Sequence, residues 1–262
     1  MTDAIRKHWP EYLMEAAALG CFMVSACLAG VLLAYPGSPV HQAIPDPALR
    51  RVLGGCAMGL TAIVLILSPW GKRSGAHMNP ATTLMFFRLG KISGPDAVFY
   101  MAAQFLGGAA GVLAAASIIE AVRDRSVNYA VTQPGATGLT AAFLAEALIS
   151  FLLMSVVLRV SNHPTLSRFT PFFVGFLVAL YISIEEPLSG MSMNPARTLS
   201  SAVNAQSFTA LWIYFTAPPL GMLAAAELYV RRRGLHRVFC AKMHHHNSQR
   251  CIFRCNFGSL TR

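Results

Sequence analysis

Ser74-Gly75-Ala76-His77-Met78-Asn79-Pro80-Ala81 and Ser189-Gly190-Met191-Ser192-Met193-Asn194-Pro195-Ala196 are two copies of one pattern, the first box and the second box. Their identical positions, Ser-Gly, Met and Asn-Pro-Ala, recur in the same frame 115 residues apart (194 − 79). Asn caps helices well and Pro fits the first helical position, so each box predicts a helix that begins at Asn-Pro-Ala. The helix-compatible sequence after each box is short, over 82–89 and 198–203. Each copy therefore predicts an extended segment that leads into a half-length helix.

Arg197 directly follows the second box. Paired Asn-Pro-Ala boxes, the second followed by Arg, resemble those of the aquaporin and aquaglyceroporin family, the major intrinsic proteins. The resemblance covers residues 11–231. It implies an all-α membrane protein with six transmembrane helices and two half helices in an inverted repeat, whose halves lie at 11–120 and 138–231. It also implies a homotetramer in which every subunit has its own pore.

The composition independently indicates a membrane protein. Of the 262 residues, 55% are hydrophobic and only 12% are charged, whereas a soluble domain usually carries about 25% charged residues. The net charge of +10 does not indicate nucleic-acid binding, because the basic residues gather in short loops and a tail beside apolar segments. We expect no cleavable signal peptide, since the first apolar run is long enough to stay in the membrane.

Six apolar stretches are near the length of about 20 residues that crosses a bilayer. They are predicted over 12–35, 51–67, 97–119, 139–158, 169–184 and 208–230. Pro218-Pro219 is expected to interrupt the last one. The third contains small residues that allow close helix approach, namely Gly107, Gly108 and Gly111. The cysteines of the first two stretches are expected to be buried packing residues: Cys21, Cys27 and Cys56.

Glu15 and Glu146 occupy matching places early in the first and fourth stretches. A carboxylate inside a membrane helix is costly and usually functional. One interpretation is a tilted helix whose Glu reaches the membrane interface. The other, which resembles the family's use of these positions, is that each Glu accepts hydrogen bonds from backbone N–H groups of a box. Non-helical backbone at membrane depth needs such partners.

The Lys and Arg residues are distributed unevenly between the loops. If the N-terminus is cytoplasmic, that side receives Arg6, Lys7, Lys72, Arg73, Arg88, Lys91, Arg159, Arg168 and the basic residues after position 230. The other side receives Arg50, Arg51, Arg123 and Arg125. The positive-inside rule then predicts a multi-pass protein of the cell (plasma or inner) membrane with both termini cytoplasmic.

The two half helices are expected to meet with their N-termini at Asn79 and Asn194. Each N-terminus carries about half a positive charge, and each Asn NH2 group can donate into the lumen. A water that accepts hydrogen bonds from both asparagines cannot accept a proton from the next water. The family resemblance implies that protons are excluded in this way. Backbone carbonyls of the boxes are expected to line the path as acceptors: Gly75, Ala76, His77, Gly190, Met191 and Ser192. For His77 itself, a metal ligand or proton relay is the alternative to a neutral pore-lining side chain.

The family resemblance makes Arg197 the donor of a selectivity filter that it would share with Met191 and Ile182. The fourth member comes from the second span, where Met58, Gly59 and Val52 are the candidates and Met58 is preferred. Strict water channels typically place His at the position of Ile182, and glycerol facilitators typically place Asp where this chain has Thr198. We expect water to pass the membrane here, with glycerol, urea and ammonia as further candidate solutes.

Residues 1–231 are predicted to form the channel domain and 232–262 a basic tail. The tail carries residues that ligate soft metals, and the preferred candidates are Cys240, His244, Cys251 and Cys255. A disordered basic tail with reduced thiols is nevertheless favoured over a metal site. Apart from that tail we expect no metal and no cofactor.

Three classes of function were weighed against these patterns. A passive channel is favoured, with an aquaglyceroporin-type facilitator as its variant. A secondary transporter with inverted repeats would need coupling carboxylates at the midplane, and only Glu15 and Glu146 stand out in the predicted spans. An enzyme would need a nucleophile and a base within the spans, and the sequence offers no such pair, so no catalytic residue is expected.

Overall fold

The chain folds as a bundle of α-helices in the computed structural model, which describes residues 2–260. None of these described residues forms a β-strand. In chain order the α-helices are α1 Thr2–Ala34, α2 Pro39–Ala43, α3 Pro47–Leu67, α4 Pro69–Ser74, α5 Pro80–Arg88, α6 Gly94–Ile118, α7 Leu139–Ser161, α8 Thr170–Ser189, α9 Pro195–Ala205 and α10 Leu211–Arg233.

Six helices of the described chain are long and apolar enough to cross a membrane, namely α1, α3, α6, α7, α8 and α10. Their outward faces carry large apolar side chains such as Leu106 and Ile118, which are 73% and 83% exposed. Apolar area of this kind is costly in water and suits a hydrocarbon environment. The six spans expected from the sequence are confirmed, and α5 and α9 are the two half helices.

Two details of the spans differ from the sequence prediction. Helix α8 continues to Ser189, so Glu185 and Glu186 lie inside it rather than beyond its end. Helix α10 runs without interruption through Pro218 and Pro219. Prolines are tolerated in membrane helices because neighbouring helices and local adjustments satisfy the carbonyls that lose their usual donors.

The long helices pack in pairs, α1 with α6, α3 with α8 and α7 with α10. Glycine makes the first of these contacts close. A Cβ on Gly107 would lie 2.1 Å from the carbonyl oxygen of Ala16, and one on Gly111 would lie 2.3 Å from that of Gly20. Small residues at such crossings allow the backbones to touch, as the sequence of α6 predicts.

Each half helix begins at its Asn-Pro-Ala sequence and is capped by the asparagine. Asn79 Oδ1 accepts from the Ala81 N–H at 2.9 Å. Asn194 Oδ1 accepts from the N–H groups of Ala196 and Arg197 at 3.0 and 3.2 Å. These bonds satisfy donors that a helix N-terminus otherwise leaves open, and α5 contacts α9.

The cysteines of α1 and α3 are not all packing residues. Cys27 is buried, but Cys21 and Cys56 are exposed on outward helix faces, so the prediction is wrong for these two. In a membrane helix both the bundle interior and the lipid are apolar. An apolar sequence therefore does not reveal which face a cysteine occupies.

The tail folds back onto the helix bundle over its described residues, 232–260. The Phe239 N–H donates to Asn162 Oδ1 at 2.7 Å, and the Arg254 N–H donates to the Lys91 carbonyl at 2.9 Å. Phe239, Phe253 and Phe257 are all buried. The structure therefore does not support a disordered tail. The partners in these contacts lie far away in the chain, so the sequence of the tail alone could not predict them.

Candidate pore

The asparagines of the two boxes meet and are tied to each other's box. Asn79 Nδ2 donates to the carbonyl of Met193 at 2.7 Å, and Asn194 Nδ2 donates to the carbonyl of Met78 at 2.7 Å. Both side chains are about nine-tenths buried, at 8% exposure. One N–H of each NH2 group is thus taken by the opposite box, and the other is left to donate elsewhere.

Unusual backbone precedes each asparagine at equivalent positions. Met78 and Met193 have φ values of 47° and 54°, and Ala76 and Met191 have values of 54° and 46°. Residues other than Gly rarely adopt this left-handed conformation, and it persists where the surrounding structure holds it. These left-handed residues turn the carbonyl groups of the extended box to one side and its N–H groups to the other. Each box can therefore present acceptors on one side and donors on the opposite side.

Glu15 receives the donors of the first box. Its Oε1 accepts from Ser74 Oγ at 2.8 Å and from the His77 N–H at 3.0 Å. Its Oε2 accepts from the Met78 N–H at 2.7 Å and from Gln104 Nε2 at 2.9 Å. Glu15 is fully buried, so these bonds replace the hydration that a carboxylate would otherwise need.

Glu146 does the same for the second box and is also fully buried. Its Oε1 accepts from Ser189 Oγ at 2.8 Å and from the Ser192 N–H at 2.6 Å. Its Oε2 accepts from the Met193 N–H at 2.7 Å. The two carboxylates hold equivalent places in the repeat, and neither reaches an interface.

Two tyrosines complete this scaffold, and the sequence analysis missed them. Tyr100 donates from its hydroxyl to the Ser74 carbonyl at 2.6 Å, and Tyr214 donates to the Ser189 carbonyl. Both are fully buried. A Tyr within an apolar span is the available signal, because its hydroxyl needs a partner when buried.

One cavity of about 660 Å³ contains both boxes. At the end formed by the loops between α1 and α3 and between α6 and α7, it is lined by His41, Pro47, Arg50 and Gln133, here called the loop-side mouth. Its middle is lined by Asn79, Asn194 and Arg197. At the opposite end, where α10 leads into the tail, it is lined by Ala76, His77 and Met243, here called the tail-side mouth.

The residues expected in the filter all line this cavity: Arg197, Met191, Ile182 and Met58. Among the candidates of the second span, Val52 is 42% exposed. A Cβ on Gly59 would lie 2.3 Å from the Gly175 carbonyl, so this glycine faces α8. Of the backbone groups expected along the path, the cavity lining includes Ala76, His77, Gly190, Met191 and Ser192, but not Gly75.

Two acidic residues near the loop-side mouth, Glu185 and Glu186, were not among the residues predicted from the sequence. Glu186 lines the cavity together with Arg50 and Arg51, and Glu186 Oε2 lies 3.9 Å from Arg51 Nε. Glu185 is buried, and neither of its carboxylate oxygens has a hydrogen-bond partner among the described residues. The longer α8 brings these carboxylates into the span, which is why a prediction that ended at 184 omitted them.

The sequence pattern of one protein family covers nearly the whole of this arrangement. The family model described as Major intrinsic protein matches residues 5–229. The chain belongs to this family. It is an integral membrane protein that crosses the membrane several times.

Named relatives agree with this assignment, and a solved structure has a similar fold. Aquaporin NIP6-1 of Arabidopsis thaliana is 39% identical over 182 residues, which are 68% of this chain and 58% of that protein, so less than two thirds of that relative is spanned. Glycerol uptake facilitator protein-like 6 of Lactiplantibacillus plantarum is 34% identical over 175 residues, 66% of this chain and 81% of that protein. The aquaglyceroporin of Plasmodium falciparum shares the fold, with a TM-score of 0.71 at 19% identity, over 85% of this chain and 96% of that one.

In this major intrinsic protein, His77 contacts the tail rather than open space. Its Nε2 donates to the Ala241 carbonyl at 2.9 Å, and its Nδ1 lies 3.1 Å from Thr83 Oγ1. The ring stacks between Phe86 and Phe253, at centroid distances of 5.1 and 5.3 Å. Both ring nitrogens are thus occupied by uncharged groups, and no carboxylate contacts them.

The tail brings together a cluster of three thiols and one imidazole. The ligand atoms of Cys240, His245, Cys251 and Cys255 lie within 4.8 Å of one another. His245, and not His244, completes this group. The side chain of His244 is buried, and its Nδ1 has no hydrogen-bond partner among the described residues.

The thiols and the imidazole of this cluster shift each other's acidity. Hydrogen bonds from Cys240 and then Cys251 hold the pKa of the Cys255 thiol well below its usual range. Burial lowers the pKa of His245, but hydrogen bonds with Cys251 and Cys255 outweigh it and raise that pKa to about 9. The cluster therefore favours a thiolate beside an imidazolium when no metal is bound.

Proposed function

We propose that this protein is a passive channel for water and small neutral solutes, and that it is not an enzyme. The observation that carries the proposal is the single cavity whose lining includes Asn79, Asn194 and Arg197. The names of its relatives, aquaporins and a glycerol uptake facilitator, support it.

Exclusion of protons and cations follows from the ends of the two half helices. The N-termini of α5 and α9 each carry about half a positive charge, and each asparagine keeps one N–H for a passing molecule. A water that accepts from both asparagines has no lone pair left for the proton of the next water. The positive potential at the same point repels hydronium and metal cations.

The filter is proposed to consist of Arg197, Met191, Ile182 and Met58. Arg197 supplies the positive charge. Its Nη1 is buried with no hydrogen-bond partner among the described residues, so this nitrogen is left to donate to a solute. The other three side chains are apolar. Such a filter offers few hydrogen bonds to a solute and less polarity than one with His in place of Ile182.

An aquaglyceroporin-type facilitator, which conducts small uncharged solutes better than water, is the second candidate. The apolar trio in the filter favours it, because the carbon backbone of glycerol is stabilised by apolar contact that water does not use. The Lactiplantibacillus plantarum relative, named as a glycerol uptake facilitator, supports the same solute class.

The chain is proposed to lie in the cell membrane with both termini in the cytoplasm, as the distribution of Lys and Arg predicts. The tail-side mouth would then be cytoplasmic. Assembly into a homotetramer with one pore per subunit is proposed from the family alone.

The decisive experiment compares solute fluxes in vesicles that contain the purified full-length protein. Light scattering after an osmotic step with sucrose measures water flux, and parallel steps with glycerol and urea measure solute entry. A channel gives flux that rises linearly with the solute gradient, has a weak temperature dependence and does not respond to a proton gradient. Saturable flux that follows the proton gradient would instead identify a secondary transporter, and Glu185 and Glu186 would become its coupling candidates.

A further inference from the structure

The tail is hydrogen-bonded to residues of the first box at the tail-side mouth and directly beside it. The Met243 N–H donates to the Gly75 carbonyl at 3.0 Å, and the Ala241 carbonyl accepts from His77 Nε2 at 2.9 Å. Ala241 and Met243 are buried, with exposures of 0% and 6%. A carbonyl and an imidazole nitrogen of the first box are therefore bonded to the tail, and the imidazole belongs to His77, which lines the cavity.

A second part of the tail closes over the same place. The Phe253 ring stacks on His77 with an interplanar angle of 16° and contacts Tyr100 edge-on at a centroid distance of 6.0 Å. It lies so close to the box that a Cβ on Gly75 would be 2.7 Å from the ring. Phe253 is itself buried.

The two mouths of the cavity differ accordingly. Both connecting loops at the loop-side mouth contribute to the lining. At the other end, the segments 67–75, 88–93 and 158–169 contribute no residue to the lining, whereas Met243 of the tail does. Connecting segments of the bundle thus line the cavity at one end, and a residue of the tail lines it at the other.

The Cys/His cluster is placed to hold this cover. Cys240 and His245 flank the segment that contains Ala241 and Met243, and Cys251 and Cys255 flank Phe253. A group that joined all four side chains would therefore fasten both parts of the tail that enter the mouth.

The donor set suits a tetrahedral thiophilic cation of the Zn²⁺ type. Two thiolates on one such ion, each about 2.3 Å from it, lie about 3.8 Å apart. Cys240 Sγ and Cys251 Sγ are 3.6 Å apart, and Cys255 Sγ is 3.1 Å from His245 Nε2. The cysteines are not joined as disulfides, and the His245 ring is held by stacking on Phe257 at a centroid distance of 4.3 Å.

The tail depends on a bound ion for its fold more than the helix bundle does. Residues 234–260 contain no α-helix and only short 3-10 turns. A segment of this size has little core of its own, and small folds of this kind usually depend on a metal or on disulfides.

We propose that one Zn²⁺-type ion, bound by Cys240, His245, Cys251 and Cys255, fastens the tail in the tail-side mouth and keeps the channel closed there. Loss of the ion releases Met243 and Phe253 and opens the cavity toward the cytoplasm. The closing part of this proposal rests on the proposed channel function, whereas the metal site does not.

Metal binding is tested on the purified full-length protein in detergent, stripped with chelator and kept reduced, by titration with Co²⁺. We expect one ion per chain, the thiolate-to-metal absorption of a tetrahedral site, and displacement by Zn²⁺. His245→Gln and Cys255→Ser should lose this signal. The matched variants His244→Gln and Cys21→Ser should keep it. Absence of the signal in the parent chain, or its loss in His244→Gln but not in His245→Gln, would overturn the site.

Closure is tested by water and glycerol flux in vesicles, with Zn²⁺ present or removed by a membrane-permeant chelator. We expect chelation to raise the flux of the parent chain and of His244→Gln at least several-fold. His245→Gln should have high flux under both conditions. If the ion binds but its removal leaves the parent flux unchanged, or if Zn²⁺ reduces the flux of His245→Gln equally, closure is overturned.

A further variant separates closure from channel function. Phe253→Ala keeps all four ligands, so it should retain the Co²⁺ signal and still show raised flux with the metal bound. If Phe253→Ala and His245→Gln both fail to exceed protein-free vesicles, the channel function fails, and closure fails with it. The Co²⁺ signal decides the metal site in either case.

Discussion

Asn79 and Asn194 each donate a side-chain hydrogen bond of 2.7 Å to the residue that precedes the other in the sequence, Met193 and Met78. Each asparagine at the same time caps its own half helix. One side chain therefore caps a helix and joins the two boxes, and its second N–H is left over beside the cavity that both asparagines line. An amide is suited to this combination because it carries an acceptor and two donors.

Replacing Asn79 with Asp should weaken the exclusion of cations. The carboxylate still accepts from the Ala81 N–H, but it cannot donate to Met193, and its charge opposes the positive ends of α5 and α9. We expect measurable Na⁺ or proton leakage in vesicles, detected with an internal dye. Asn204→Asp is the matched control, because Asn204 Nδ2 donates to the Ser200 carbonyl on α9 and does not line the cavity. Equal leakage from both variants would contradict the assignment of Asn79.

Replacing Arg197 with Val should raise the entry of glycerol and larger neutral solutes, and cation leakage as well. The change removes a charge and much side-chain volume from the lining of the cavity. The ratio of glycerol to water flux is the useful readout, because it does not depend on how much protein is inserted. Arg123→Val, in the exposed loop between α6 and α7, serves as the control. An unchanged ratio in the Arg197 variant would remove this residue from the filter.

Replacing Glu15 or Glu146 with Ala should lower stability more than it alters selectivity. Each change leaves two buried backbone N–H groups and a hydroxyl of a box without their acceptor, at a cost of about 1–3 kcal/mol for each unsatisfied group. Thermal unfolding in detergent and the yield of folded protein measure the loss. Glu120→Ala, on the exposed surface, should behave like the parent. A stable variant with altered solute range would instead make the carboxylate part of the permeation path.

The parts of the fold that the sequence could predict are those that local chemistry decides. Asn-Pro favours a helix start through capping and the fixed φ of Pro, and Gly107 and Gly111 indicate a close crossing because few other residues allow one. The sequence favours Met58 for the fourth filter position but leaves Gly59 and Val52 open, because an additional helix, Pro69–Ser74, changes the spacing before the first box. The choice of His245 over His244 depends on how a chain segment without periodicity folds back, and that depends on contacts with Asn162, Lys91 and Gly75 from distant parts of the chain.

Replacing Gly107 with Ala should destabilise the bundle, although Gly107 itself does not line the cavity. The new Cβ would lie 2.1 Å from the Ala16 carbonyl oxygen and 2.4 Å from the Ala16 Cα, which are backbone atoms that cannot turn away. Helices α1 and α6 must then separate, and because Glu15 on α1 holds the first box, the separation disturbs the box as well. We expect a loss of about 1–3 kcal/mol, as is typical of overpacked sites, measured by thermal unfolding in detergent. Gly94→Ala, at the start of the same helix, should be tolerated because its Cβ would meet nothing nearer than 3.7 Å. Equal stability of the two variants would show that the α1–α6 contact is looser than these distances require.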